Sequence, residues 1–536
     1  MSQVERLVFS LILGFCCLMG LVCFGVPIFA WLTDAAWELN STRLLDPSIL
    51  AITRFTIWQM LWSTLISTGI GLALGLIVGR WATQARSGGL LSGFLVPLAV
   101  PTLVSALGWM SFIGQSYGIL YTQKAVILAH CFYNIPLVVY WVAQARRSVR
   151  PQLLFAVRSL GGSAWDEWRV VVWPKIKWPL WSAVAQTASF CAMSFALVLI
   201  LGGGPPVQSL ETEVFYRLRF GEYDPAGALS CAVWEFLLTL FPWAGVIFAE
   251  SQRRKEEEKL GAQFINHDLV SVIDVKTKMR FSLSSNLRQF GILFGIGSIL
   301  LFFLAPYFFV LSPGAFYAFR DREFLRQLWS SLCVSLGIAF LTSSFVSSMS
   351  AGLILSLRSS HLNKKGRAMI QFLAAAPGGV SVLILALGVW IAYGKWIDPF
   401  EGSLSAIVVI QSCIFFPLAF RFMWPLLSHE DQISYQAAWS LGASWWDAFL
   451  ETEWPQLRIP LLAIWSGIFG ACLGEVAGVS LFGSSKWMTL SLLLTHKMQH
   501  YRFEEAQAIA ALLFLLSMSS MGMALYFWSL QRKQSQ

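Results

Sequence analysis

Apolar residues run through this chain in long unbroken stretches rather than in alternation. Twelve such stretches lie near 8–32, 56–79, 90–113, 124–145, 181–203, 228–249, 289–311, 329–357, 368–394, 403–427, 460–482 and 506–530. Each reaches the ~20 residues that a bilayer-crossing helix needs. Because the runs are apolar throughout, they read as helices rather than strands. The first is long for the apolar segment of a cleaved signal, so a retained helix is expected.

Composition strengthens that picture. The chain has 536 residues, 56% of them hydrophobic and 12% charged, where soluble domains carry roughly a quarter charged. A soluble exterior cannot be covered with so few charges, so a soluble enzyme, a disordered chain and a disulfide scaffold are excluded. The nine cysteines sit in or beside apolar runs without a CxxC pair and read as small buried hydrophobes. The net charge of +9 could suggest nucleic acid, yet the basic residues cluster in short loops between spans. With the N-terminus placed in the cytoplasm, 26 of the 38 Lys and Arg fall on that side. Both termini are therefore expected inside.

The chain also repeats itself. Arg158-Ser159-Leu160-Gly161-Gly162-Ser163-Ala164-Trp165-Asp166 recurs 281 residues later as Trp439-Ser440-Leu441-Gly442-Ala443-Ser444-Trp445-Trp446-Asp447. At the same offset Trp173-Pro174 meets Trp454-Pro455, Pro136-Leu137 meets Pro417-Leu418, and Gly202 meets Gly483. Six spans lie in 1–249 and six in 289–536, joined by a charged, solvated linker over 250–288. Equal span numbers starting on one side make these parallel repeats about an axis near the membrane normal. The expected fold is all-α and integral to the membrane, with about 12 transmembrane helices in two six-helix bundles enclosing a pathway.

The repeated segment lies between the fourth and fifth spans of each half, on the side assigned as cytoplasmic. Gly161 and Gly442 suit the left-handed end of a helix. Ser163 and Ser444 then cap a second helix, with Asp166 and Asp447 at its third position, a Ser-x-x-Asp form of the capping box. Trp165 and Trp168, or Trp446 and Phe449, lie three apart on one face, and Pro174 and Pro455 are expected to stop or kink the helix. One such helix could simply anchor in headgroups. Two at matching positions favour docking of a symmetric partner.

These residues resemble the inner-membrane permeases of binding-protein-dependent ABC importers (type I layout). The family signature is a Glu-Ala-Ala loop with Gly four residues on and Pro beyond. Phe155-Ala156-Val157 with Gly161 and Pro174, and Gln436-Ala437-Ala438 with Gly442 and Pro455, follow its spacing. The resemblance covers essentially the whole chain, including the fused double layout. It implies that these loops are coupling helices seated on two copies of a cytoplasmic ABC ATPase, which hydrolyses the ATP. It also implies a periplasmic substrate-binding protein and a bacterial inner-membrane location. The family's Glu is replaced by Phe155 and Gln436, so any charged contact it makes is absent, and the two docking sites should differ in strength. Within the family, Leu201-Gly202-Gly203-Gly204-Pro205 with Glu211, Tyr223-Asp224-Pro225-Ala226, and Leu128 to Pro136 are similar to the thiamine permeases. Ferric-iron permeases are the alternative.

Polar residues inside spans are costly and mark candidates for the pathway. Glu475 in the eleventh span costs about 2.5–3.5 kcal/mol unless it meets water, a partner or a cation. His130 and Asn134 share a helix face and either line the path or, as favoured, bond a neighbouring helix. Glu235 is similar but nearer a span end. Gly202-Gly203-Gly204 closes the fifth span as a gate or a plain turn. His496 and His500 lack a third ligand, so no metal site is read there. No Gly-x-x-x-x-Gly-Lys-Ser/Thr loop occurs, so no cofactor is expected on this chain and its energy must come from a partner. An ion-coupled secondary transporter would also show six-helix repeats, with Glu475 and Glu235 as its only coupling acids.

Overall fold

The structure is a computed structural model that describes the chain apart from residues 1–2, 39–41, 85–92, 95, 114–117, 221–222, 266–282, 312, 360–362, 399, 428–436, 439 and 535–536. Helices dominate, and among the described residues the β-structure is one isolated bridge between Gly204 and Val207. The first half contains α1 (Gln3–Gly20), α2 (Val26–Glu38), α3 (Pro47–Gln84), α4 (Thr102–Ile113), α5 (Gln123–Arg147) and α6 (Pro151–Ser159). It continues with α7 (Trp173–Ala192), α8 (Ala196–Gly202), α9 (Leu210–Arg219) and α10 (Pro225–Ile265). The second half contains α11 (Leu283–Val310), α12 (Arg322–Ser359), α13 (Lys364–Ala375), α14 (Val382–Tyr393) and α15 (Leu404–Leu427). It ends with α16 (Trp454–Leu473), α17 (Ala477–Phe482), α18 (Leu490–Gln499) and α19 (Phe503–Gln534).

Eight of the described helices are long and apolar enough to cross a membrane, or ten if two bent pairs each count as one span. This is a multi-pass, all-helical membrane protein. The expected stretches 90–113 and 460–482 hold shorter apolar helices, Thr102–Phe112 and Leu457–Leu473. They fall short because each stretch is interrupted, the first ahead of Pro101 and the second at Gly474 to Val476. Interrupted backbone at membrane depth is tolerated where protein covers it or a cavity meets it. Elsewhere the helices outrun the apolar stretches. α10 continues from its span through Ile265, so the first residues of the charged linker are helical.

The same pairings recur in both halves. α3 packs along α5 and α12 along α15, while α7 packs along α10 and α16 along α19. The α3–α5 seam is close because Gly71, Gly75 and Gly79 recur every fourth residue on one face. A Cβ on them would lie 2.5 Å, 2.7 Å and 2.7 Å from the Cβ atoms of Val138, Val142 and Arg146. In lipid, where apolar burial gives no net drive, small residues of this kind let backbones approach and gain packing.

The first helices of the two halves are exchanged. α1 and α2 pack on α12 and α14 of the second half, while α11 packs on α4 of the first. The crossing points correspond: a Cβ on Gly108 would lie 2.7 Å from the Pro306 carbonyl oxygen, and one on Gly388 would lie 2.6 Å from that of Pro27. Only hydrogen fits at either place.

Candidate functional site

Two constellations are candidates: the paired loops before α7 and α16, and the helix breaks that follow them.

In the first loop, α6 ends in a left-handed turn. Gly161 has φ +80°. Its N–H donates to the Arg158 carbonyl at 3.0 Å, and the Gly162 N–H to that of Val157 at 2.9 Å. This is the paired Schellman closure, which a glycine adopts without steric cost. Gly442 repeats it with φ +85°, and the Ala443 N–H donates to the Ala438 carbonyl at 3.1 Å. The expected capping boxes follow. The Ser163 hydroxyl and N–H donate to Asp166 Oδ2 at 2.6 and 2.8 Å, and the Asp166 N–H returns to Ser163 Oγ at 3.3 Å. Ser444 and Asp447 repeat the arrangement at 2.6, 3.3 and 3.1 Å. Hydrogen bonds from Ser163 hold the Asp166 carboxyl below the usual carboxylate range.

Three details depart from the sequence reading. Pro174 and Pro455 do not end the helix. Residues 164–192 form one helical run in which a π-turn, Glu167–Val172, precedes α7, and Phe449–Glu453 does the same before α16. The wider turn shifts the hydrogen-bond ladder where proline has no N–H to give. Only the first aromatic of each pair is presented: Trp165 and Trp446 are exposed, whereas Trp168 is half-buried beside Trp173 and Phe449 is buried against Trp446. Among the described residues the most exposed large apolar side chains are Leu160 and Leu441, each 88% exposed and 281 residues apart. Sequence reasoning passed over them, although they lie inside the repeated segment.

Of the remaining loop residues, Phe155, Ala156 and Ala437 are exposed and Pro174 is half-buried, while Gln436 lies outside the described residues. The loops are not equivalent. Arg158 pairs with Glu167 in the first, and that hydrogen bond holds the Glu167 carboxyl below the usual range. Ala448 stands opposite Glu167 in the second.

The spans beyond the loops break at corresponding places. α7 gives way to α8 with a 55° bend. α16 gives way to α17 around Glu475, whose Oε1 accepts from the Gly478 N–H at 2.8 Å. The carboxyl thus accepts from the first turn of α17. Its counterpart at the first break is Ser194, bonded to His130 Nε2 at 2.7 Å. His130 is buried, with Ser63 Oγ 3.5 Å from Nδ1. Asn134 Nδ2 donates to the His130 carbonyl at 2.9 Å and lies 3.4 Å from Cys191 Sγ. Both side chains are engaged with neighbouring helices. Gly203 and Gly204 have φ +71° and +103°, and a Cβ on Gly202 would lie 2.4 Å from the Val207 carbonyl oxygen. This makes a tight reversal that only glycines fit.

The segment after each break was not foreseen. α9 and α18 are short buried helices capped by Ser209 and Thr489. Each opens on a hydroxyl of its own half, with the Leu210 N–H on Thr56 Oγ1 at 3.1 Å and the Leu490 N–H on Ser335 Oγ at 2.7 Å. Glu211 in α9 and Glu235 in α10 are fully buried.

No family model matches the chain. Individual proteins do. It is 25% identical over 498 residues to the thiamine transport system permease protein ThiP of Brucella suis, covering 89% of this chain and 88% of that one. The proteins of the same name from Haemophilus influenzae and Escherichia coli are 26% and 23% identical, over 80% and 88% of this chain and 78% and 88% of their own. A probable sulfate transport system permease protein of Helicosporidium is 24% identical, and 80% of its length fits on 38% of this chain. Nearly end-to-end similarity to the long permeases, and a shorter permease fitted within less than half the chain, agree with the duplicated helices, breaks and loops. The chain is thus similar over nearly its whole length to ABC importer permeases of the fused double layout, with two permease-like units in one polypeptide.

Proposed function

We propose that this chain is the membrane-spanning subunit of an ATP-driven, binding-protein-dependent importer of thiamine. The observation that carries the substrate is the similarity along nearly the whole length to thiamine permeases from several genera. On this reading both termini are cytoplasmic, a binding protein delivers solute outside, and two ATPase subunits dock inside.

The paired loops supply the mechanical link. Leu160 and Leu441 project beside Trp165 and Trp446 from rigid Schellman turns, which suits insertion into an apolar cleft on each ATPase. Because residues 164–192 form one helical run, a push on the loop passes directly into the fifth span. ATP-driven approach of the two ATPases would rock the bundles and open the path alternately to each side.

The test is uptake of labelled thiamine and of labelled ferric iron by the complete transporter in a deletion strain. Saturable thiamine uptake that stops when the ATPase is inactivated is the expected result. Iron uptake in its place would overturn the substrate, and uptake that persists without the ATPase would favour an ion-coupled carrier.

A further inference from the structure

Three acidic side chains from different elements converge where the two halves meet. Glu211 lies within electrostatic reach of both Glu235 and Glu475, and the Ser381 hydroxyl lies beside Glu211 and Glu235. The helices account for this meeting. α9 packs against α3, α10, α14 and α17. Its far end is pinned to α17 by Arg219, whose Nε and Nη2 donate to the carbonyls of Ser480 and Gly483 at 3.2 and 2.8 Å. Ser381 caps α14, and Glu475 caps α17. First-half acids therefore face second-half elements across the interface between the bundles.

The acids are only partly satisfied. Both carboxyl oxygens of Glu235, Oε2 of Glu211 and Oε2 of Glu475 lack a well-formed hydrogen bond, with the Ser381 hydroxyl close to the first two acids and the Gln411 amide close to the third. Glu211 and Glu235 are 1% and 0% exposed. Acids retained only to join helices would find donors there, because an unmet carboxylate inside a membrane protein is expensive. The nearby arginines of α9 are engaged elsewhere: Arg217 pairs with Glu213 and Asp224 at 2.7 Å each, and Arg219 binds the carbonyls already named.

The repeat gives an independent argument. Alignment of the Ser209 and Thr489 caps puts Ser491 opposite Glu211 and Leu515 opposite Glu235, while Ser194 stands opposite Glu475. All three acids thus lack an acidic twin. A purely architectural feature would be expected to recur with the architecture. A recognition site for a ligand without two-fold symmetry would not.

Resting on the reading of this chain as a thiamine permease, we propose that Glu211, Glu235 and Glu475 form the intramembrane recognition site for the positively charged ring of the transported solute, with Ser381 positioning the first two. The ligand class is a bulky organic cation with delocalised charge. Among the described residues no three His, Cys, Asp or Glu side chains form a group that could hold one metal ion. Partly buried Glu475, at the break between α16 and α17, meets the solute first, and buried Glu211 and Glu235 receive it as the bundles rearrange.

The experiment uses the complete complex with its ATPase and binding protein in proteoliposomes. E211Q, E235Q and E475Q are each expected to lower the rate of thiamine uptake at least tenfold, with the variant permease still recovered in complex with its ATPase. In the wild-type complex a hydrophobic carbodiimide should label these carboxyls, and thiamine delivered by the binding protein should reduce that labelling severalfold. Uptake at the wild-type rate by the E211Q/E235Q double variant would overturn the site, as would labelling indifferent to thiamine during active uptake. Wild-type vesicles that take up no thiamine would instead remove the substrate reading. N-methylpyridinium, whose charge is delocalised over a ring, then becomes the probe: protection of the trio upholds a cation site, and lack of protection by either cation overturns it.

Discussion

Replacing Gly388 with alanine tests the exchange of first helices at the point where it is tightest. The added methyl would lie 2.6 Å from the Pro27 carbonyl oxygen, 3.0 Å from its carbonyl carbon and 3.3 Å from its Cβ. Ordinary contact begins near 3.4 Å, so α14 and α2 must part by roughly 0.8 Å locally. Inserting a methyl into a packed seam costs about 1–3 kcal/mol, offset by up to ~1 kcal/mol from the better helix propensity of alanine. The net expectation is a loss of roughly 1 kcal/mol. Gly295 in α11 is the control, because a Cβ there would meet nothing within 4 Å, so G295A keeps the propensity gain alone. The two variants should therefore differ by about 2 kcal/mol, close to thirtyfold in the unfolding equilibrium. Unfolding of the purified permease in mixed detergent–SDS micelles, followed through its 25 tryptophans, measures the difference. G108A, whose methyl would lie 2.7 Å from the Pro306 carbonyl oxygen, should behave like G388A. The two losses should add, since the contacts share no residue. If G388A and G108A prove as stable as G295A, the close crossing, and with it the exchange, is refuted.

Two further outcomes follow from the loops. L160D and L441D should each weaken recovery of the permease with its ATPase at least tenfold, and the double variant should abolish it; full recovery of the double variant would remove these side chains from the docking surface. Asp166 has its carboxyl held low by Ser163, so the capping contribution is fully present above the unfolded carboxylate value of about 3.9 and is lost as pH falls through the lower folded value. After correction for intrinsic rates, amide-exchange protection over 164–172 should be flat from about pH 8 to pH 5 and decline only in stronger acid. S163A should lower that protection about fivefold and flatten its acid step.

What was legible in the sequence is what depends on neighbours along the chain. The Gly161 and Gly442 turns and the Ser163 and Ser444 boxes were readable because a left-handed residue and a cap are defined within six positions. The repeat offset was readable because the breaks after Ala192 and Leu473 keep the same spacing. The fate of Pro174 was not, since a π-turn allows a helix to continue through a residue that otherwise ends it. Nor was the inward turn of Trp168 and Phe449, which the packing of the following helix decides. Glu235 read as lying near a span end and proves fully buried. Glu211 drew notice only through a resemblance, because α9 is a short amphipathic segment outside the apolar runs. That Glu475 comes to Glu211 and Glu235 from more than two hundred residues away belongs to tertiary structure, and periodicity carries no trace of it.

The exchanged first helices bear on biogenesis. As the polypeptide leaves the ribosome, α1 and α2 enter the bilayer long before α12 and α14, the surfaces they rest on, have been made. For that interval the nascent protein holds an orphaned helical span beside an incomplete bundle, and a second copy at the same stage could capture it wrongly. Encoding both halves in one reading frame keeps the intended surface in cis and fixes the stoichiometry at one to one. Severed into separate genes, the halves should be handled by the cell as mutually dependent clients, each degraded unless its complement is made beside it.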